Sequence, residues 1–279
     1  IEIKGSEKAG KLIAEICMGG LGIINIEKTS TFPNWPLEIK VESKHPVISC
    51  LGSQYAGWNL SHEKFYALAS GPGRAIARRE ELFKELQYID QSKFVYLVME
   101  VDKIPPKEII EKISNDCKTV TKNIILILTP TQSISGIIQI VSRVSEVGLH
   151  KLHTLKFPLK NVDKVYGSAP IPPLASDFIT SMGRTNDAIL YGGNVELKVR
   201  GTDEEIKNLA KNLPSTSSKD YGKPFAEIFN NYKGDFYSID PNLFSPGKVV
   251  VTSLDTGKTF VEGKLNSDLL DKSFGYEKN

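Results

Sequence analysis

The chain has 279 residues, 40% apolar and 24% charged, which is globular usage and excludes a disordered polymer. Thirty-five lysines and arginines against thirty-three aspartates and glutamates leave a net charge of +2, so nothing in bulk electrostatics draws the protein to nucleic acid or an anionic membrane. No apolar run approaches the ~18 residues that a membrane span requires.

The chain opens at Ile1 without methionine or a leader pattern, which is expected for a truncated or longer-headed protein. Residues 21–27 and 37–41 read as strands, the second bounded by Pro36 and Pro46. Residues 60–85 read as helical segments interrupted by Gly71-Pro72-Gly73. Residues 94–101 and 124–128, short and dense in β-branched and aromatic side chains, predict buried strands. Between them, residues 105–117 open on prolines and predict a helix. Residues 133–153 predict one amphipathic helix, with apolar positions 137, 141, 144 and 152 on one face. Pro170 to Pro173 impose an extended loop. Residues 189–199 and 247–264 predict strands, the latter hinged at Asp255-Thr256-Gly257. Between these, residues 202–213 predict a helix opened by a capping box of Thr202 and Glu205. Strands and helices mixed without a βαβα rhythm favour an α+β class. Two domains are expected, residues 1–128 and 129–279, with an approximate boundary that admits discontinuous domains.

Most standard machinery is missing. Gly257-Lys258-Thr259 lacks the leading glycine of a phosphate loop, and no serine elbow or H-E-x-x-H is present. His150 and His153 have metal-like spacing, but no cysteine or carboxylate cluster lies near them in sequence, so a solvated pair is expected. Cys17, Cys50 and Cys117 form an odd set without a C-x-x-C pair, which fits a cytoplasmic protein. What remains is seven polar, mostly glycine-containing strings, at residues 17–22, 53–58, 70–75, 129–131, 169–173, 181–187 and 219–225. Such strings serve as turns, or let backbone amides approach a flat polar ligand or a phosphate. Gln139, Arg143, Glu146 and His150 share one helical stripe. Spacing alone favours a solvated face, with Arg143 and Glu146 as a weak ion pair.

Taken together, these strings resemble the methenyltetrahydromethanopterin cyclohydrolase family over nearly the whole chain. The resemblance rests on C-M-G-G-L-G, on H-P-x-I-x-C-L-G-S-Q-x-A-G-W from His45, and on S-G-P-x-R-A, A-P-I-x-P and M-G-R-T-N-D. It extends through D-Y-G-K-P-F-x-E-I-F from Asp220, D-F-Y-x-I-D-P-N-L-F-S-P from Asp235 and the closing T-G-K-T-F-V-x-G-K-L-N. Gly73, where the family has alanine, and the string Thr129-Pro130-Thr131-Gln132-Ser133, standing for A-P-T-A-S, depart from the pattern and bear on affinity more than on reaction type. The family also carries a mostly helical N-terminal segment ahead of the position of Ile1.

The resemblance implies hydrolysis of the N5,N10-methenyl bridge of tetrahydromethanopterin to the N5-formyl form. That is a reversible step of one-carbon metabolism in methanogens and methylotrophs. It also implies no metal or redox cofactor, a homotrimer, and a large pocket between two domains. Family catalysis rests on an R-x-x-E pair, which falls here on Arg143 and Glu146 and reverses the reading from spacing. The methenyl carbon is already electrophilic and needs only a water that can lose its proton, which Glu146 would accept while Arg143 orients and tunes it. By chemical type, Gln54, Asn186 or Asp187 would hold the pterin edge, and Ser53, Ser70, Thr131, Ser133 and Tyr221 would add hydrogen bonds. Arg74, Arg184, Lys219 and Lys223 would meet the anionic tail, though each of these residues serves equally well as a cap or turn. A folate-type methenyl pterin, or a non-catalytic pterin-binding role, is the alternative.

Overall fold

The structure is a computed structural model describing residues 5–276, so the expectation attached to Ile1 lies outside the described residues. Helix α1 (Glu7–Cys17) starts where the Ser6 side chain accepts from the Ala9 amide. It ends because Gly19 and Gly20 take positive φ, 66° and 72°, and the Gly20 amide closes on Glu15 O at 2.9 Å. The string C-M-G-G-L-G is thus a helix stop. Strands β1 (Gly22–Lys28) and β2 (Leu37–Ser43) follow as an antiparallel pair, close to expectation. An eight-residue π-helix, Val47–Gln54, comes next and is buried from Ser49 onward.

Residues 60–85 depart from their predicted helices. β3 (Trp58–His62) and β4 (Phe65–Ser70) are an antiparallel pair whose side chains alternate between core and surface. Their sequences, WNLSH and FYALAS, contain no β-branched residue and only three aromatic ones, so the strand signal was weak beside the helical reading. Only α2 (Gly73–Ala77) and α3 (Leu82–Leu86) are helical there, at five residues each. β5 (Val95–Met99), α4 (Lys107–Asp116) and β6 (Ile124–Leu128) fall where strands and a helix are expected, and they form a βαβ unit with the two strands parallel.

The single helix expected over 133–153 is two helices, α5 (Ile134–Val141) and α6 (Val144–Thr154). Ser142 turns its hydroxyl back to Ile138 O at 2.7 Å, and Arg143 leaves helical geometry at ψ 2°. The break puts Arg143 at a corner with α6 starting beneath it. Then come β7 (Val162–Pro170), α7 (Phe178–Leu190) and β8 (Asn194–Val199), so the strand expected from residue 189 begins five residues later. The M-G-R-T-N-D string lies inside α7 rather than in a loop. α8 (Asp203–Asn212) has the Thr202–Glu205 capping box. α9 (Phe225–Asn231), the hairpin β9 (Lys248–Ser253) and β10 (Thr259–Gly263), and α10 (Ser267–Phe274) complete the order.

Helices and two mixed sheets make the fold α+β. One sheet has the order β1-β2-β7-β8-β9-β10 and the other β3-β4-β5-β6. Each backs its own apolar core, a larger one including Ile24, Val141, Val165 and Val195, and a smaller one including Trp58, Leu97, Ile109 and Ile113. Division at residue 128 does not describe the sheets, because β1 and β2 from the start of the chain pair with β7 far downstream. The reason is topological: the four-stranded sheet is inserted between β2 and β7. The site described next lies where side chains from both sheets' connections meet.

Candidate active site

Two arginines organise the end of the π-helix. Its last carbonyls lack intrahelical partners, and cations suit that end of a helix. Arg74, on α2 and fully buried, donates from Nη1 to Leu51 O at 3.0 Å and to Ser53 O at 3.1 Å. Its Nε donates to Glu80 Oε1 at 2.9 Å, and its guanidinium lies 5.3 Å from the Tyr55 ring and 5.5 Å from Phe83. Arg74 is therefore bound into the frame, with four of its five N–H donors taken by Glu80 and the two carbonyls. Arg143 donates from Nη1 to Gln54 O, and from Nη2 to Ser70 Oγ at 3.0 Å and Gln139 Oε1 at 3.1 Å. Ser70, the last residue of β4, also donates to Val98 O at 3.2 Å and lies 3.5 Å from Cys17 Sγ. Ser53 Oγ donates to Cys17 O at 2.6 Å, and the Gln54 amide donates to Ser142 O at 3.1 Å. Gly71 makes the tight turn after Ser70 at φ 105°, where a Cβ would lie 2.9 Å from Tyr96 O.

Glu146 sits in the first turn of α6 and is 5% exposed. The stripe of Gln139, Arg143, Glu146 and His150 does not form a solvated face, because Gln139 and Glu146 are buried and His150 stacks on Tyr55 at 4.8 Å. Nor is there an Arg143–Glu146 ion pair, since all of Arg143's donors that find partners go to other groups. No hydrogen bond reaches the Glu146 carboxylate among the described residues. Burial raises its pKa to about 7, against the opposing charges of Arg143 and Arg74. A buried acid at that value is half ionised near neutrality and free to exchange a proton. The arginine tunes it through space and not by contact.

Thr131 donates to Glu100, the residue after β5, which the sequence reading passed over. A charge closing an otherwise apolar strand run was the available signal, because the carboxyl ends of parallel strands are where α/β sheets place ligands. Ser133 is the N-cap of α5, accepting from the Gly136 amide at 2.9 Å and donating to Pro130 O at 2.7 Å.

The remaining expected ligands of the pterin and its tail gather around α7. Both Asp187 oxygens accept from the Phe225 amide, at 2.9 and 3.1 Å, and one accepts from Ser273 Oγ at 2.6 Å. Asn186 donates within its own helix to Met182 O at 2.8 Å. Arg184 donates to Leu174 O at 2.8 Å and to Pro173 O and Ser273 O at 3.3 Å. Tyr221 packs edge-on to Tyr191 at 5.2 Å, while Lys219 and Lys223 are exposed. None of these side chains bonds to Gln54, Ser70, Arg143 or Glu146 among the described residues. His150 and His153 do not form a metal site either: His153 contacts Glu85 at 2.7 Å, and no metal-binding cluster occurs among the described residues.

Comparison with known proteins now bears on this arrangement. A family model described as "Cyclohydrolase (MCH)" matches residues 1–274. The chain belongs to this family. A methenyltetrahydromethanopterin cyclohydrolase of Methylobacillus flagellatus is 58% identical over 99% of this chain and 84% of its own length. A protein of the same name from Methylosinus trichosporium is 51% identical over 93% of this chain and all of its own. One from the archaeon Methanocella arvoryzae is 38% identical over 100% and 87%, respectively. The family implied by the sequence strings is thus the family found. No helix among the described residues is long and apolar enough to cross a membrane.

Proposed function

We propose that the chain hydrolyses the methenyl bridge of N5,N10-methenyltetrahydromethanopterin to N5-formyltetrahydromethanopterin, reversibly, with Glu146 as general base. The observation that carries this reading is Glu146 itself, a buried carboxylate without a hydrogen-bond donor among the described residues, pushed up to about 7 by burial and acted on by a guanidinium held in place by others. The bridge carbon lies between two nitrogens and shares their positive charge. Water attacks it as Glu146 accepts one proton, giving a neutral tetrahedral adduct. The C–N10 bond then breaks, N10 takes the proton back from Glu146, and the adduct's hydroxyl proton leaves to solvent. One proton is released overall, and the formyl group remains on N5. Arg143 supplies orientation and sets the ionisation of the base.

The same reading makes the protein a cytoplasmic homotrimer that needs no metal or redox cofactor and seats its substrate between the two sheet-bearing units. Light scattering of the purified chain checks the subunit number. Glu146→Gln is expected to fold and still bind substrate but to lose about 10²–10⁴ in turnover, followed through loss of the methenyl chromophore. Near-normal turnover in that variant would remove Glu146 from the role of base. Running the tetrahydromethanopterin and folate cations side by side identifies the substrate class, and tight binding without hydrolysis marks a carrier.

A further inference from the structure

The proposed chemistry uses one carboxylate, yet the charge of the same guanidinium acts on two. Glu100 follows the last residue of β5, and Thr129 and Thr131 follow the last residue of the parallel strand β6. The Thr129 amide extends the ladder to Met99 O at 3.0 Å, which brings the two strand ends together. Ser70 bridges them to the catalytic corner, donating to Val98 O while accepting from Arg143. Glu100 is open to solvent by surface area, yet burial is the leading cause of its raised pKa. Its carboxylate accepts from the Thr131 hydroxyl in the loop after β6, which holds it at the joined strand ends. Arg143 acts on it in the opposite direction, as it does on Glu146. Two buried polar atoms in this neighbourhood, Thr129 Oγ1 and Gln54 Oε1, have no partner among the described residues. Groups of that kind are satisfied when a ligand arrives.

The charges do not cancel. Arg74 is matched by Glu80 and stands apart from the count. Arg143 contributes one positive charge, and Glu100 and ionised Glu146 contribute two negative ones. His150 adds none, because burial disfavours its cation. With both carboxylates ionised, these groups around Arg143 therefore sum to a net charge of −1.

We propose that Glu100 is a binding residue selective for the cationic state of the ligand: held by Thr131 at the joined ends of β5 and β6, it offsets the nearby Arg143 guanidinium so that a monocation can enter. This rests on the function proposed above, in which the methenyl substrate is a cation and the formyl product is neutral at the bridge. Glu100 then favours substrate over product, whereas Glu146 moves the proton. Thr131 fixes the carboxylate's orientation by donating to it.

The test is the ratio of two affinities, measured on the intact chain with methenyl- and formyl-tetrahydromethanopterin as probes. Glu100→Gln keeps the shape and the Thr131 contact but removes the charge. It is expected to weaken methenyl binding about tenfold or more while leaving formyl binding nearly unchanged. Glu100→Asp, which keeps the charge, is expected to restore most of the ratio. Equal weakening toward both ligands, or a ratio unchanged in Glu100→Gln, overturns the proposal, the first result marking a purely structural residue. If the wild-type chain neither binds nor hydrolyses the methenyl cation, the function proposed above fails instead. Active wild type with an indifferent Glu100→Gln sinks only the inference about Glu100.

Discussion

Glu146 and Asp187 are both buried carboxylates that burial pushes up to about 7, and they are used in opposite ways. Asp187 lies in α7 and spends its oxygens on the Phe225 amide and the Ser273 hydroxyl, tying α9 and α10 to its own helix. Glu146 lies in α6 and accepts from nothing in the protein among the described residues, while its charged neighbour bonds elsewhere. A raised pKa alone therefore does not mark a functional group. What separates the two is whether the oxygens are already occupied. An acid with its lone pairs filled holds structure together, and one with them empty is available to a water.

The comparison breaks first at Arg143. Because its charge lowers the pKa of Glu146, Arg143→Ala is expected to move the acid limb of kcat/KM above its wild-type position near 7 and to cut turnover by about 10²–10³. The sign follows from the base acting in its ionised form, so activity rises with pH through the pKa. A limb that stays near 7 in the variant would detach Arg143 from the base. At the other carboxylate, Asp187→Ala leaves the Phe225 amide and Ser273 hydroxyl unpaired, at about 1–3 kcal/mol each. The expected result is a lower urea midpoint with turnover per folded molecule preserved. Lost turnover in fully folded Asp187→Ala would return it to the site. The smallest effect belongs to Lys219→Ala with Lys223→Ala, both exposed, where stability should change by no more than about 0.5 kcal/mol and kcat should hold. A large rise in KM for the double variant would place the anionic tail against them.

Legibility in the sequence followed the same line. Strands β5 and β6, helix α4, the capping box of α8 and the β9–β10 hairpin were readable because local periodicity and turn chemistry specify them. β3 and β4 were not, since their burial comes from pairing across a sheet whose edges the local sequence does not name. Ser53, Gln54, Ser70 and Arg143 do converge, as their chemical types allowed. Asn186, Arg184 and Asp187 have the same ligand-like character but bond instead to a carbonyl of their own helix, to loop carbonyls and to the start of α9, respectively. Residue type states what a side chain can bond to, and only the fold states what it meets.

The sequence by itself determined the family, through ordered strings spread along the chain, and the α+β class, through the mixture of helical and strand periods. The tertiary structure alone decided that residues 142–143 break a helix, that Arg74 binds Glu80 and the π-helix carbonyls, and that Arg143 bonds Gln54, Ser70 and Gln139. It also decided that Glu146 is buried with no hydrogen-bond donor among the described residues and that the charge of Arg143 acts on Glu100 as well. The reason is that burial and unmet hydrogen bonds arise between segments distant in the chain, where spacing along the sequence carries no information.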